Sequence, residues 1–345
     1  MATTNTDAYD LKSVDFEGLI NEDVMQEIFE IDPIDIPYQD MAGSDSSSNQ
    51  YRSWVKRSLA APDLTNARVD GADAGAAVAL TEARVGNHHQ ISDKVVKVSN
   101  RARLVDTIGY EDRLVEELMV KQKELKRDME AILVSNQASV EGTDQVAGKL
   151  AGCGAMFETN IVNGTAGGFD AGIYSAPTPG AAAALAEASI RDAAEMAYNE
   201  GGNVSILMST PKMCRGISEY LFTSSARVAT MMSERGTATE GKYGKLGVTA
   251  IGAVNTFVSD FDTLQIVPNR IQQVYDNGGT DCVNVYLFDP EFWSVGFLQG
   301  IETEELARTG LAANRQMSVD FTNCALQEKS SAVIMGVDPA LAVTA

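Results

Sequence analysis

The sequence predicts an α+β fold built around one long amphipathic helix, and three observations carry that prediction. Apolar residues recur at helical spacing over residues 110–136 with no Gly or Pro to interrupt them. Ahead of that stretch, residues 50–108 read as two strands separated by a tip rich in Ala, Gly and Asp. Behind it, an alternation of strand and helix signals gives way to strands from Gly247 onward. A chain of 345 residues supplies material for about two to three domain-sized pieces.

Residues 1–49 read as an extended arm. A short helix fits Asp15 to Phe29, where Phe16, Leu19, Ile20, Val24 and Ile28 share a face. Pro33 and Pro37 then favour extended chain, and Ala42 to Asn49 is a Gly-, Ser- and Asp-rich link. The strands of the following hairpin are expected at Gln50–Leu59 and at about Arg84–Val105. Few large apolar residues lie between them, so a hairpin this thin is marginal alone and needs a surface to lie on.

In the helix over residues 110–136, Leu114, Leu118, Leu125, Met129, Ile132 and Leu133 make one apolar stripe. Arg113, Glu117, Lys121, Lys123, Lys126 and Glu130 fall on the other faces, with Glu117 and Lys121 spaced for an ion pair. Such a rod spans roughly 39 Å. A second helix is expected from Thr178-Pro179 to Gly201-Gly202, then a strand over Asn203–Ser209 and another helix opening at Thr210-Pro211. Strands follow at Val248–Val258, Thr263–Pro268, Asn284–Phe288, Met317–Leu326 and Ser331–Val337.

Charge and composition exclude several functions. The net charge is −21, which disfavours gripping a phosphate backbone. It does not disfavour enclosing one. The first fifty residues hold twelve acids against Lys12, a net of −11, whereas residues 51–110 hold nine bases against six acids, a net of +3. An acidic arm beside a basic hairpin suits contact between copies of the chain. His88 and His89 are the only histidines, so imidazole-based metal sites and triads lack material. Cys153, Cys214, Cys282 and Cys324 are too scattered for a metal-ligand pattern and read as reduced, buried thiols. No run of apolar residues approaches membrane-spanning length. No catalytic residue, cofactor or metal ligand is expected.

The motifs that invite a catalytic reading fail on inspection. Gly236 to Lys242 imitates a phosphate-binding loop, but Tyr243 stands where Ser or Thr must ligate Mg²⁺. Gly152-Cys153-Gly154 lacks the third glycine of a dinucleotide fingerprint. Asp260 and Asp262, between two strands, read as a turn rather than a cation site.

The order of parts resembles the Hong Kong 97-type major capsid fold of tailed bacteriophages, whose elements are an N-arm, an E-loop hairpin, a peripheral domain with a long spine helix, and an axial α/β domain. Local sequence adds to this. Asn87 to Ser99 resembles the returning E-loop strand of one capsid branch, and Glu124-Leu125-Lys126-Arg127-Asp128-Met129-Glu130 resembles its spine helix. Thr159-Asn160, Val258-Ser259-Asp260-Phe261 and Leu264 to Arg270 follow in the same order, then Leu287-Phe288-Asp289-Pro290 and Glu305 to Gly310. Asn100 and Asp262 stand where glycine is expected, and both types tolerate positive φ.

The resemblance implies a division into N-arm (1–49), E-loop (50–108), peripheral domain (109–177, spine helix 110–136), a mainly axial part (178–270) and a return through both domains (271–345). It implies a non-enzymatic major head protein that assembles with itself into pentamers and hexamers of an icosahedral virion shell around double-stranded DNA. The implied partners are a separate scaffolding protein, a portal and a decoration protein, with no membrane. An encapsulin-like nanocompartment shell and a minor virion or decoration protein are the alternatives. The expected contacts between subunits are Arg52, Trp54, Lys56, Arg57, Arg101 and Arg103 of the hairpin, Glu117 and Glu124 of the helix, and Arg270.

Overall fold

The computed structural model describes residues 25–223 and 256–341, apart from 26, 33, 72, 74, 76–78, 106–108, 110–111, 260 and 309. Most of the expected arm helix at 15–29 and the imitation phosphate loop at 236–243 lie outside the described residues.

The arm does not stay extended through its second proline. Pro37 is the first residue of a short helix, α1 (Pro37–Met41), because a proline at that position fixes φ and forfeits only an N–H that has no helical partner. Strand β1 (Gly43–Ser46) follows. The hairpin then rises as β2 (Tyr51–Ser58) and returns as β3 (Thr81–His88), antiparallel from Tyr51↔His88 to Ser58↔Thr81. The single returning strand expected from Arg84 to Val105 is divided at His89. Beyond it, β4 (Gln90–Ser99) leaves the hairpin for another sheet, and α2 (Asn100–Leu104) closes the segment. Asn100 opens that helix, and Asp262 accepts a turn hydrogen bond from Ser259 N–H at 2.9 Å. Among the described residues only Asn163 and Ala171 combine a side chain with positive φ, so neither Asn100 nor Asp262 needs the conformation expected of them.

The long helix α3 runs Arg113–Leu133, with Asp112 capping its N-terminus through Leu114 N–H. Leu114, Leu125, Met129 and Leu133 are buried, as the stripe predicts. Glu130 is buried as well, contrary to its expected place on a polar face. Lys121 pairs with Glu124 at 2.7 Å rather than with Glu117, whose carboxylate lies 3.7 Å from Arg113. After α3 come the buried turn α4 (Cys153–Met156), β5 (Ile161–Val162), and two small antiparallel pairs: β6 (Gly164–Thr165) with β9 (Thr178–Pro179), and β7 (Phe169–Asp170) with β8 (Ile173–Tyr174). Thr178-Pro179 therefore starts no helix. The next helix, α5 (Glu187–Asn199), begins eight residues later than Pro179 and ends close to the expected Gly201-Gly202.

The remaining elements are β10 (Ile206–Ser209), α6 (Pro211–Thr223), β11 (Thr256–Val258), β12 (Thr263–Pro268), β13 (Tyr275–Asp276), β14 (Asp281–Phe288), β15 (Trp293–Glu305), β16 (Ala312–Ala325) and β17 (Ala332–Val337). The start of α6 at Thr210-Pro211 is as expected. The 13-residue β15 is not, because Gly296, Gly300 and the acidic end Glu302-Thr303-Glu304-Glu305 blur its alternation.

Two sheets organise the chain. The larger runs β11-β12-β10-β14-β17-β5, with β13 added beside β14. Its alternate residues feed two cores. Leu207, Val285, Leu287 and Ile334 pack with Ile190 and Ala194 of α5 and Ile217 of α6. Met208, Tyr286, Phe288 and Val333 pack with Leu125, Met129 and Leu133 of α3. The smaller sheet runs β1-β15-β16-β4. Its Val295, Met317, Val319 and Phe321 join the α3 core, while Lys94 of β4 reaches Asp128 of α3 at 2.6 Å. Trp293 is the hub, with Phe157 and Phe288 at ring-centroid distances of 5.4 and 5.2 Å.

Candidate assembly interface

The structure places the hairpin half on its own chain and half in the open. At the root, Val85 and Asn87 are buried. Asn87 Nδ2 donates to Asn323 O at 2.9 Å, and its Oδ1 accepts Ala151 N–H at 2.9 Å. His89 turns the corner between β3 and β4. Its Nε2 lies 2.9 Å from Ser47 Oγ and its Nδ1 3.2 Å from Asp320 Oδ1. Trp54 leans against the α3 core with its Nε1 buried and without a hydrogen-bond partner. The surface that so thin a hairpin was expected to need is, at its root, supplied by its own chain.

The outer part is different. Leu59 (88 %), Leu64 (99 %), Val69 (79 %) and Leu80 (63 %) are exposed, four apolar side chains left uncovered by the described residues.

The charged residues expected between subunits mostly have partners within the chain. Arg52 pairs with Asp45 and donates to Ser46 O. Lys56 lies 3.8 Å from Glu158, and Arg57 pairs across the hairpin with Glu82. Arg103 meets Asp112 at 2.8 Å, and Arg101 is exposed on α2. Glu124 is held by Lys121, with Lys94 at 3.9 Å, and Arg270 lies 3.6 Å from Asp35. The acidic arm meets its own chain in the same way, Glu30 contacting Lys123 of α3 at 2.8 Å.

Sequence reasoning missed the junction that fixes the arm. The buried Glu130 carboxylate accepts Tyr38 N–H at 2.7 Å, Gln39 N–H at 3.2 Å, Gln39 Nε2 at 3.1 Å and Asn269 Nδ2 at 2.8 Å. Burial pushes this carboxyl upward, and its four donors pull it partly back. Glu130 neighbours Met129 of the stripe, and Asn269 follows Pro268 at the end of β12, but nothing local to either pairs the two. A second buried acid, Glu328, accepts Thr159 Oγ1 at 3.0 Å, and Asn160 Nδ2 donates to Lys329 O at 2.7 Å. Burial raises Glu328 too. Two segments quoted for the resemblance, those holding Glu130 and Asn269, thus meet in a hydrogen-bonded joint between elements distant in sequence.

Nothing in this arrangement is a nucleophile activated by a base. All four cysteines are buried and unpaired, and burial lifts the Cys214 thiol to about 11 and Cys324 to about 12. The glycine of Gly152-Cys153 serves packing, since a Cβ there would stand 2.2 Å from Ser135 O. Asp260 lies outside the described residues. Among the described residues no three acidic, His or Cys side chains gather as metal ligands, and no helix is long and apolar enough to cross a membrane.

Comparison with known proteins gives this geometry its context. The sequence profile of the SU10 major capsid protein family matches residues 2–338. A major capsid protein of Escherichia phage Phieco32 is 36% identical over 111 residues, 32% of either chain, so the match spans about a third of that relative's length. The capsid structure of cyanophage P-SCSP1u has a similar fold, with a TM-score of 0.56 at 10% identity, covering 93% of each chain. The SrpI encapsulin of Synechococcus elongatus is also similar, with a TM-score of 0.51 at 11% identity, covering 95% of this chain and 96% of the other. At such identities the two structures speak to the fold alone.

Proposed function

The chain belongs to the SU10 major capsid protein family, and from that premise we propose that it is the major head protein of a tailed bacteriophage, a structural protein that self-assembles into the shell enclosing the phage's double-stranded DNA. The observation that carries this reading is the family match over residues 2–338. The hairpin supports it, being anchored at its root by Asn87 and His89 and exposing Leu59, Leu64, Val69 and Leu80 farther out.

Pentamers and hexamers tiling an icosahedral head are the assembly we propose, with the division at residues 49, 108, 177 and 270 as its working parts. Arg57, Arg101 and Arg103 are exposed and suit contact with a neighbour. Trp54, Arg52 and Lys56 sit nearer the root and act by holding the hairpin's angle. Glu117, Glu124 and Arg270 offer partly screened charges on the neighbour's side. The net charge of −21 suits a wall that confines DNA without adhering to it. Scaffolding, portal and decoration proteins complete the proposed set of partners, and the virion is the proposed location.

Negative-stain microscopy of the protein expressed alone and with a scaffolding protein tests the reading. Closed shells that package DNA are expected. Shells filled with protein cargo would favour the nanocompartment alternative, and a few copies per virion would favour a minor component.

A further inference from the structure

We propose that the cavity at the C-terminal end of α3 is a binding site for a small alkali cation, sodium or potassium, held by uncharged oxygens of this chain. The proposal goes beyond the shell reading and does not rest on it.

The cavity has a volume of about 230 Å³. Val134 and Ser135, at the end of α3, form one wall. Gln272 and Tyr275, from the chain between β12 and β14, form a second, and Asn284 and Tyr286 of β14 a third. No acid, base or histidine lines it.

Most side-chain donors of this wall are committed within the chain. Gln272 Nε2 donates to Asn284 O at 2.7 Å. Asn284 Nδ2 donates to Asn136 Oδ1 at 2.7 Å and to Tyr286 Oη at 2.8 Å. Tyr275 Oη donates to Asn284 Oδ1 at 2.8 Å, and Tyr286 Oη to Val134 O at 3.2 Å. Gln137 Nε2, also in the lining, is held by Gln90 Oε1 and Leu150 O. Asn136 Nδ2 and the exposed Gln273 are the amide donors left without an acceptor among the described residues. Lone pairs remain in surplus. Gln272 is 6 % exposed, and its Oε1 is buried without a hydrogen-bond partner. An amide oxygen can accept twice, and Asn136 Oδ1 accepts from Asn284 alone among the described residues.

A surplus of acceptors suits a positive charge. The last carbonyls of a helix carry partial negative charge, which favours a cation there. Carbonyl-type oxygens replace the hydration shell of a monovalent ion, whereas calcium and magnesium sites draw on carboxylates, and none lines this cavity. The net charge of −21 enriches cations around the chain. An ion held here would join the end of the long helix to the larger sheet.

Thermal unfolding of the full-length, unassembled subunit tests the site in sodium, potassium or N-methylglucamine chloride at equal ionic strength. Screening alone treats the three salts alike. At about ten times its dissociation constant, one alkali ion is expected to raise the unfolding temperature by about 2 °C over N-methylglucamine. Gln272→Met should abolish the difference between salts. Asn136→Asp keeps the Oδ1 acceptor and adds a charge to the wall, so it is expected to tighten the ion at least ten-fold. Sodium NMR of the native chain requires no variant to fold. Its broadened line is expected to narrow on adding potassium and not on adding N-methylglucamine at the same concentration. Equal unfolding temperatures in the three salts, a difference that survives Gln272→Met, no tightening by Asn136→Asp, or sodium lines that narrow alike with both cations would each overturn the site.

Discussion

Glu130 in the last turn of the long helix takes the backbone N–H of Tyr38 at 2.7 Å, tying the arm to the helix across 92 positions of sequence. The same carboxylate holds Gln39 and Asn269. Glu130→Ala would leave these donors buried without an acceptor. Each orphaned group costs about 1–3 kcal/mol, so the unassembled subunit is expected to lose about 3–5 kcal/mol in urea denaturation. Limited proteolysis should open the chain near residues 36–41 first. An unchanged midpoint would mean that water replaces the carboxylate freely.

Asn87 offers an independent prediction at the hairpin root. It serves Ala151 and Asn323 with both ends of its amide and is fully buried. Asn87→Ala is expected to cost about 2–4 kcal/mol. It should also raise hydrogen exchange across β3 more than across β14, which separates local release of the hairpin from general weakening.

Acidification should act on the same corner. Burial holds the His89 imidazole below its ordinary value of 6.5, with Arg52 and His88 pushing the same way and Asp320 opposing. The unfolded chain therefore binds a proton more readily than the folded one. The stability that His89 contributes is present above about pH 6.5 and is lost as pH falls through the lowered value. At lower pH still, Asp320, raised by burial, takes up its proton more readily in the folded state and works in the other direction. His89→Gln is expected to flatten the change in urea midpoint between pH 7 and pH 5.5, and an unaltered slope would show that the imidazole is not its source.

Lys94 sets a contrasting expectation. Its bond to Asp128 is short at 2.6 Å, yet the side chains are 29 % and 49 % exposed. A solvated ion pair contributes at most about 1 kcal/mol. Lys94→Ala should therefore shift the urea midpoint far less than Asn87→Ala does, despite the closer contact.

These sites show what the sequence could disclose. The helix over residues 113–133 and the Thr210-Pro211 start were legible because period and capping act locally. Thr178-Pro179 looked like the same signal, yet its backbone pairs with Gly164-Thr165, and tertiary pairing overrode the local preference. The returning hairpin strand could not be divided by pattern alone, since β3 and β4 read as one β-rich run. Only the two separate partners, β2 and β16, distinguish them. Buried acids such as Glu130 and Glu328 escaped because a carboxylate earns a core position through donors contributed by remote segments. Apart from Trp54, the proposed contact residues are charged, and charge alone did not reveal that most already have partners in the chain.

The division at His89 also has a mechanical meaning. Across the corner at His89 the hairpin passes directly into β4, whose ten residues are laced to β16, so the two form a lever with its fulcrum at Asn87 and His89. A tilt imposed on the tip must appear as torque on the smaller sheet and on the helix beneath it. A lattice of such levers would register a change in curvature anywhere in the shell as strain at each hairpin root.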